Sequence, residues 1–438
     1  MFARTAYSLL LYLLAPAAVG RLLLRSGSHA GYRRNIHERF GVCPPPLAPR
    51  PLWVHAVSVG EVIASEPLIR RLRQDHPQLP ILVTTTTPTG AEQLVRSFGT
   101  AVAHCYAPYD LPDVIERFLR RLNPRGLVIM ETELWPNWAA AMRRHALPVL
   151  LINGRLSEKS AHGYRRLGPL ARQMFADLSA VGAQTAADAA RFTALGARPV
   201  QITGNLKADF HLDESLRQNA ADIQRRFQLP PRDQVIVAAS THPGEDASII
   251  RAFAALHADN PQLRLLLVPR HPERAASLLR LLNERRLGAL LRSAEQPLDN
   301  AHPVLVCDKL GELRALYGTA AIALIGGTLV EHGGHNPLEP AAWGLALLAG
   351  PSQRNFDTLF QHLEHRQALL RVAPQAAAIQ AALQKLLDCP VQVAQMGQRA
   401  QQYLAAHRGA TDASIRLLRD HIFHPTGASP HAKDQQTG

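Results

Sequence analysis

Residues 321–349 read AIALIGGTLVEHGGHNPLEPAAWGLALLA. Two apolar runs, 321–325 and 345–349, bracket a glycine-rich loop and a short helical stretch. Each run is too short for a helix and suits a strand buried on both faces, as in a parallel sheet. Gly326-Gly327 and Gly333-Gly334 let the backbone pass close to a ligand. Asn336 suits a helix cap with Pro337 at the first helical position, an arrangement that leaves N–H groups aimed at an anion. Glu339, one turn in, carries the kind of carboxylate that accepts hydrogen bonds from ribose hydroxyls.

The same rhythm extends in both directions. Strands fit 235–239, 264–268 and 303–306 in the second half, and 52–57, 80–84, 102–106, 127–131, 148–152, 180–183 and 200–203 in the first. Helical stretches lie between them, with Ser58–Glu61 and Thr89–Glu92 reading as capping boxes and Asp110 as a cap for a helix at Pro112. Alternation of this kind predicts α/β architecture, and 438 residues predict two doubly wound Rossmann-like domains. The expected division is a membrane anchor over 1–25, a first domain over 26–210, a second over 211–423 and a disordered tail over 424–438.

The chain carries a net charge of +13, with 47% hydrophobic and 19% charged residues. Residues 1–50 hold seven Arg against one Glu, a net +6, beside the uncharged, mostly apolar run 5–20. That pairing points to an anionic membrane surface. Aromatic content is only 5%, and no recognition helix or zinc-finger spacing occurs, which argues against nucleic acid. The apolar run fits a spanning anchor, an interfacial helix or a first helix packed on its domain. A signal peptide fits less well, because Arg21 and Leu22–Leu24 follow where a small-residue cleavage site belongs. The basic cluster Arg21, Arg25, Arg33, Arg34 and Arg39 would stay cytoplasmic. Four scattered cysteines without a CxxC pair suit a reducing compartment.

In open parallel sheets ligands bind beyond the carboxyl ends of strands, so the segments that follow strands carry the chemistry. After 52–57 comes SVGEV, where Glu61 at a helix start is favoured in its ionised form and suits a general base. The same Glu also suits a plain capping box. After 80–84 comes TTTTPTG, whose Thr85 and Thr86 offer hydroxyls. After 127–131, ETELWPN brings Glu131 and Glu133 to the sheet edge. In the second half, STHPGED places Ser240 and Thr241 after a strand, and PRHPER places Arg270 and His271 where a phosphate suits them. His332, His335 and Glu331 flank two glycines in a loop, unlike the helical HExxH pattern, and no metal is expected there.

Taken together, these motifs resemble the bacterial 3-deoxy-D-manno-octulosonic acid (Kdo) transferases, lipid A glycosyltransferases of the GT-B fold. The resemblance runs over nearly the whole chain, through RFG at 39–41, WVHAVSVGEV, TTTTPTG, YAPYD at 106–110, ETELWPN, NGRLSEKS at 153–160, TGNLKAD at 203–209, STHPGED, PRHPER and GGHNPLEP. It implies two Rossmann-like domains facing a cleft, a CMP-Kdo donor, a lipid A precursor (lipid IVA) as acceptor, inversion at the anomeric carbon, no metal requirement and no cofactor. It implies the cytoplasmic face of a bacterial inner membrane as the location. Glu61 matches the family's general base. Ser240, Thr241, Arg270, His271, Gly326, Gly327, Gly334, Asn336 and Glu339 fall in donor motifs, and Thr85, Thr86, Glu131, Glu133 and Lys207 on the acceptor or cleft side. Pro243 and His332 depart from the pattern, where Glu and Arg are more usual. Another GT-B enzyme, such as an epimerase or hexosyltransferase, would share the donor loop without needing the Arg-rich N-terminus. A non-catalytic basic binding protein would need neither Glu61 nor Glu339.

Overall fold

The computed structural model describes residues 2–25, 30–43, 49–354 and 356–424, so all but the first residue of the expected tail lies outside the described residues. Among the described residues, fourteen strands form two seven-stranded sheets. The first contains β1 (Leu52–His55), β2 (Ile81–Thr85), β3 (Ala103–Tyr106), β4 (Gly126–Met130), β5 (Val149–Gly154), β6 (Ala180–Ala183) and β7 (Val200–Ile202). The second contains β8 (Val235–Thr241), β9 (Arg264–Pro269), β10 (Ala289–Leu291), β11 (Val304–Val306), β12 (Ile322–Ile325), β13 (Ala346–Ala349) and β14 (Leu369–Arg371). Every recorded pairing is parallel.

The strand orders are β3-β2-β1-β4-β5-β6-β7 and β10-β11-β9-β8-β12-β13-β14. Chain order runs outward in opposite directions from β1 and β4 in one sheet, and from β8 and β12 in the other, where only the last pair, β10 and β11, is exchanged. At such a switch the connections leave to opposite faces, and the space beyond the strands' carboxyl ends stays open to a ligand. The central strands are buried on both faces, which is why their sequences read as unbroken apolar runs. Strands β10 and β14 went unseen in the sequence because both lie at the sheet edge, span three residues and are only partly buried.

The chain forms two compact units, one of residues 1–209 with 407–438 and one of residues 210–406. Assignment of 407–423 to the second domain is therefore corrected. Helix Ala410–Leu418 inserts Ile415, Leu417 and Leu418 into the core under β1, β2, β4 and β5. Asp209 holds it there, accepting from the N–H groups of Gly409, at 2.7 Å, and Thr411. Such a return depends on long-range packing that no local pattern announces.

Helix Phe2–Arg25 belongs to the first unit. Its stretch Ala3–Leu24 is long and apolar enough to cross a membrane by length and composition. One side bonds to the domain: Tyr7 donates to Asp110 at 2.9 Å, Ser8 to Asn137 at 3.1 Å, and Tyr12 to Asp113. Leu9, Leu10, Leu13 and Leu24 stay exposed. Between this helix and the loops after β2 and β3 lies a cavity of about 240 Å³, mostly apolar, lined among others by Leu11, Leu14, Leu22, Trp135 and Trp138.

Three local expectations are corrected. Asp110 does not cap the helix Pro112–Leu122; its carboxylate accepts from the N–H groups of Asn137 and Trp138 and so caps Pro136–Arg144. Thr87, rather than Thr89, caps Pro88–Phe98, because Pro88 takes the first helical position. Arg39 is buried, stacked on Tyr106 with its guanidinium 4.4 Å from the ring centre and donating to the Thr86 carbonyl. It does not join Arg21, Arg33 and Arg34 at the surface.

Truncating Leu418, which is fully buried, tests the returning helix. Leu418→Ala should destabilise the first unit by about 2–5 kcal/mol. A lowered denaturant midpoint for that unit checks it; an unchanged midpoint would place the helix outside the core.

Candidate active site

At the first switch point the loops after β1 and β4 bring three acidic residues together. Glu61 lies in the first turn of helix Val59–Asp75 and is only 9% exposed. It accepts from the Val57 N–H at 2.7 Å, and the Ser58 hydroxyl lies 3.4 Å away. Ser58 makes no side-chain cap of its own, so the expected capping box is not formed. Burial pushes the Glu61 carboxyl up to about 8, against the Val57 hydrogen bond, and the negative charges of Glu131 and Glu133 push it further the same way. The helix terminus was expected to favour the ionised form; desolvation outweighs it.

Glu131, just after β4, sits in the left-handed region at φ +58°, a conformation that is costly for a non-glycine residue and collects at functional sites. Lys207, on the turn Leu206–Asp209, donates to Glu131 at 3.3 Å. Burial raises Glu133 as well. Thr85 is fully buried, with its hydroxyl 2.9 Å from the His104 ring, so it cannot touch an acceptor. Thr86 turns its hydroxyl and its N–H to the Val57 carbonyl, both at 3.1 Å, and thereby steadies the loop that carries Glu61.

At the second switch point the loops after β8 and β12 are tied by Glu245, a residue the sequence reading missed. It is fully buried and accepts from His242 N–H at 2.8 Å, Gly327 N–H at 2.8 Å and Leu329 N–H at 2.9 Å. A strand followed by GED was the only signal, and it read as an ordinary helix start. Ser240 sits at φ +58° in a bulge of β8, and its carbonyl approaches Gly326 so closely that a Cβ there would collide. Gly334 donates to the Gly327 carbonyl at 2.8 Å and His335 to that of Gly326 at 3.2 Å, which folds the loop back on itself.

The imidazoles of His242, His332 and His335 meet over this loop. Nε2 atoms of His242 and His335 are 2.8 Å apart, and the His242 and His332 rings stack at 3.7 Å between centroids. Burial lowers His242 to about 4 and His335 to about 3, helped by the positive charges of Arg270 and neighbouring histidines. Thr241 is buried, while Arg270 and His271 stay exposed. Asn336 accepts from Leu338 N–H at 3.1 Å, but the helix is Leu338–Ala342 with Pro337 at its N-cap, so the expected cap by Asn336 with Pro337 as the first helical residue is corrected. Glu339 pairs with Arg314 at 3.2 Å.

Residues 34–210 match the family described as 3-deoxy-D-manno-octulosonic-acid transferase (kdotransferase). The 3-deoxy-D-manno-octulosonic acid transferase of Haemophilus influenzae is 37% identical over 427 residues, covering 96% of this chain and 99% of that protein. This chain belongs to the Kdo transferase family. The Bordetella pertussis transferase is 36% identical, over 95% of this chain and 99% of its own. The structure of UDP-GlcNAc 2-epimerase from Neisseria meningitidis bound to UDP-GlcNAc matches with a TM-score of 0.58 at 15% identity, over 85% of this chain and 100% of that one. Its likeness bears on fold alone, and the fold is GT-B. The chain is thus a glycosyltransferase that moves Kdo in lipopolysaccharide biosynthesis. That membership sets aside the epimerase, hexosyltransferase and non-catalytic readings.

Glu245→Ala would leave three backbone donors without their acceptor, at roughly 1–3 kcal/mol for each buried group. Unfolding of the second unit should move to clearly lower denaturant. If the midpoint holds, the tie between the β8 and β12 loops is not structural.

Proposed function

We propose that this transferase moves Kdo from CMP-Kdo to a lipid A precursor, lipid IVA, with inversion, at the cytoplasmic face of a bacterial inner membrane. The observation that carries the reading is Glu61, a buried carboxyl at a switch point whose proton affinity lies close to neutrality. An acceptor hydroxyl attacks the anomeric carbon of Kdo as the bond from that carbon to the phosphate oxygen breaks. CMP leaves with the bonding electron pair, and Glu61 takes the hydroxyl proton. A base works best with a pKa near the operating pH, and Glu61 meets that condition.

On this reading Lys207 and Glu131 orient the acceptor side. Arg270 and His271 meet the donor phosphate, with Ser240, Thr241 and the backbone at Gly326, Gly327 and Gly334 shaping its seat. Asn336 positions the short helix, and Glu339 meets the ribose, exchanging its contact with Arg314. Support for a lipid acceptor comes from the apolar helix Phe2–Arg25 with its exposed leucines, and from the apolar cavity beside it. Thr86 lines that cavity and bonds to Val57, which in turn bonds to Glu61, so an acyl chain there would lie one loop from the base. Exposed Arg21, Arg33 and Arg34 suit phosphates on the lipid or the membrane.

Glu61→Gln should lower transfer by about 10²–10⁴-fold while the protein stays folded and still binds CMP. Turnover near the wild-type rate would leave Glu61 a purely structural residue.

Because the base acts deprotonated, kcat/KM should rise with pH through about 8 and then level. Glu133→Gln removes a charge that raises Glu61, so the rising limb should move to lower pH, whatever happens to the plateau. A limb that stays put or moves up would separate the two residues.

A further inference from the structure

Beyond the transfer reaction, the geometry points to a site for one late first-row divalent cation, of the Zn²⁺ class, held by the imidazoles of His242, His332 and His335. These residues come from two loops, ninety positions apart in the chain, and their available ring nitrogens all lie within 4.8 Å of one another. A cation of this class stands about 2.0–2.1 Å from each imidazole nitrogen, which sets neighbouring nitrogens roughly 3–3.5 Å apart. The His242–His335 separation is 2.8 Å and no pair exceeds 4.8 Å, distances near that value.

Convergence of the rings is built into the backbone. A Cβ placed on Gly327 would stand 3.4 Å from the Cδ2 atoms of all three imidazoles. Cδ2 is the carbon bonded to Nε2, so the three rings gather with these edges within van der Waals contact of one glycine position. Glu245 ties the His242 and Gly327 N–H groups to one carboxylate oxygen. His335 is fixed by the Gly326 carbonyl, and His332 by a tight turn in which its N–H donates to Val330 at 2.6 Å. These constraints hold the three ligand residues before any ion arrives, which is what a preformed site requires.

Ligand chemistry selects the metal class. Imidazole nitrogens suit Zn²⁺, Co²⁺, Ni²⁺ and Cu²⁺, whereas Mg²⁺ and Ca²⁺ need oxygen ligands. Three protein ligands leave a fourth position open. Arg270 and Arg274 bring positive charge near His242, so the open position suits an anionic ligand that offsets it. The site shares its loops with the donor seat proposed above, and the transfer step written there uses no metal.

The test is Co²⁺ titration of the full-length, metal-stripped protein in detergent, followed by its visible absorption, with Zn²⁺ as competitor. One equivalent should bind with the intense bands of a four- or five-coordinate ion, be displaced by Zn²⁺ and not by Mg²⁺, and raise the unfolding temperature. Loss of an outer-shell partner costs roughly 10–100-fold in metal affinity, so His332→Arg and His242→Ala should each cost about 100-fold or more. His332 is exposed, so its replacement tests the site even if His242→Ala fails to fold. His302→Ala, at an exposed histidine paired with Asp299, should bind like wild type. Absence of saturable Co²⁺ binding, or binding that survives His332→Arg undiminished, would overturn the assignment. So would an unfolding temperature raised by inorganic phosphate with no Co²⁺ band, which would mark an anion pocket of hydrogen-bonding imidazoles.

Discussion

A carboxylate turned inward to the N–H groups of a neighbouring loop is the interaction on which the rest of this structure depends. Loops at the carboxyl ends of parallel strands leave the sheet ladder and must find other partners for their backbone donors. Glu38 receives Tyr106, Asp110 receives Asn137 and Trp138, Asp188 receives Leu156, Asp209 receives Gly409 and Thr411, and Glu245 receives three donors. Each stitches together segments distant in the chain, and each is buried. Where the acceptor is ionised, such a bond is worth more than a neutral one and is costly to break, while burial raises the proton affinity of Glu38, Asp110 and Glu245.

Glu61 belongs to this set and departs from it. It receives one backbone donor, Val57, and a long contact from Ser58, while Glu131 and Glu133 repel its charge. Glu245 has three backbone donors working against its burial. The same residue type in the same sheet-edge position is thus a clasp in one unit and, on the proposed reading, a proton acceptor in the other. What differs is the local count of donors and like charges. Lys207 pairs with Glu131 rather than with Glu61.

Most of the fold was legible because strands buried on both faces write themselves as apolar runs, and the switch points then predict which loops matter. SVGEV, ETELWPN, STHPGED and the 325–344 loop all fall there. What stayed hidden depends on contacts between distant segments. Leu417 and Leu418 look like any amphipathic helix until the first unit's core is seen. Arg39 looks like a surface charge beside Arg33 and Arg34, and only the Tyr106 ring and Thr86 carbonyl show why it is buried. Asp110 is followed by Leu-Pro and reads as a local cap, yet its nearest donors lie on another helix. His242 and His335 carry no spacing signal because the sheet, not a helix, brings them together.

The central claim is that burial and two neighbouring carboxylates hold Glu61 protonated up to about pH 8. Carboxyl-¹³C-labelled glutamate, followed by NMR against pH in the full-length protein and assigned by its loss in Glu61→Gln, measures this without reference to turnover. The account predicts one glutamate resonance that titrates near 8 and vanishes in the variant. A Glu61 resonance that titrates at an ordinary carboxylate value near 4.3 would contradict it.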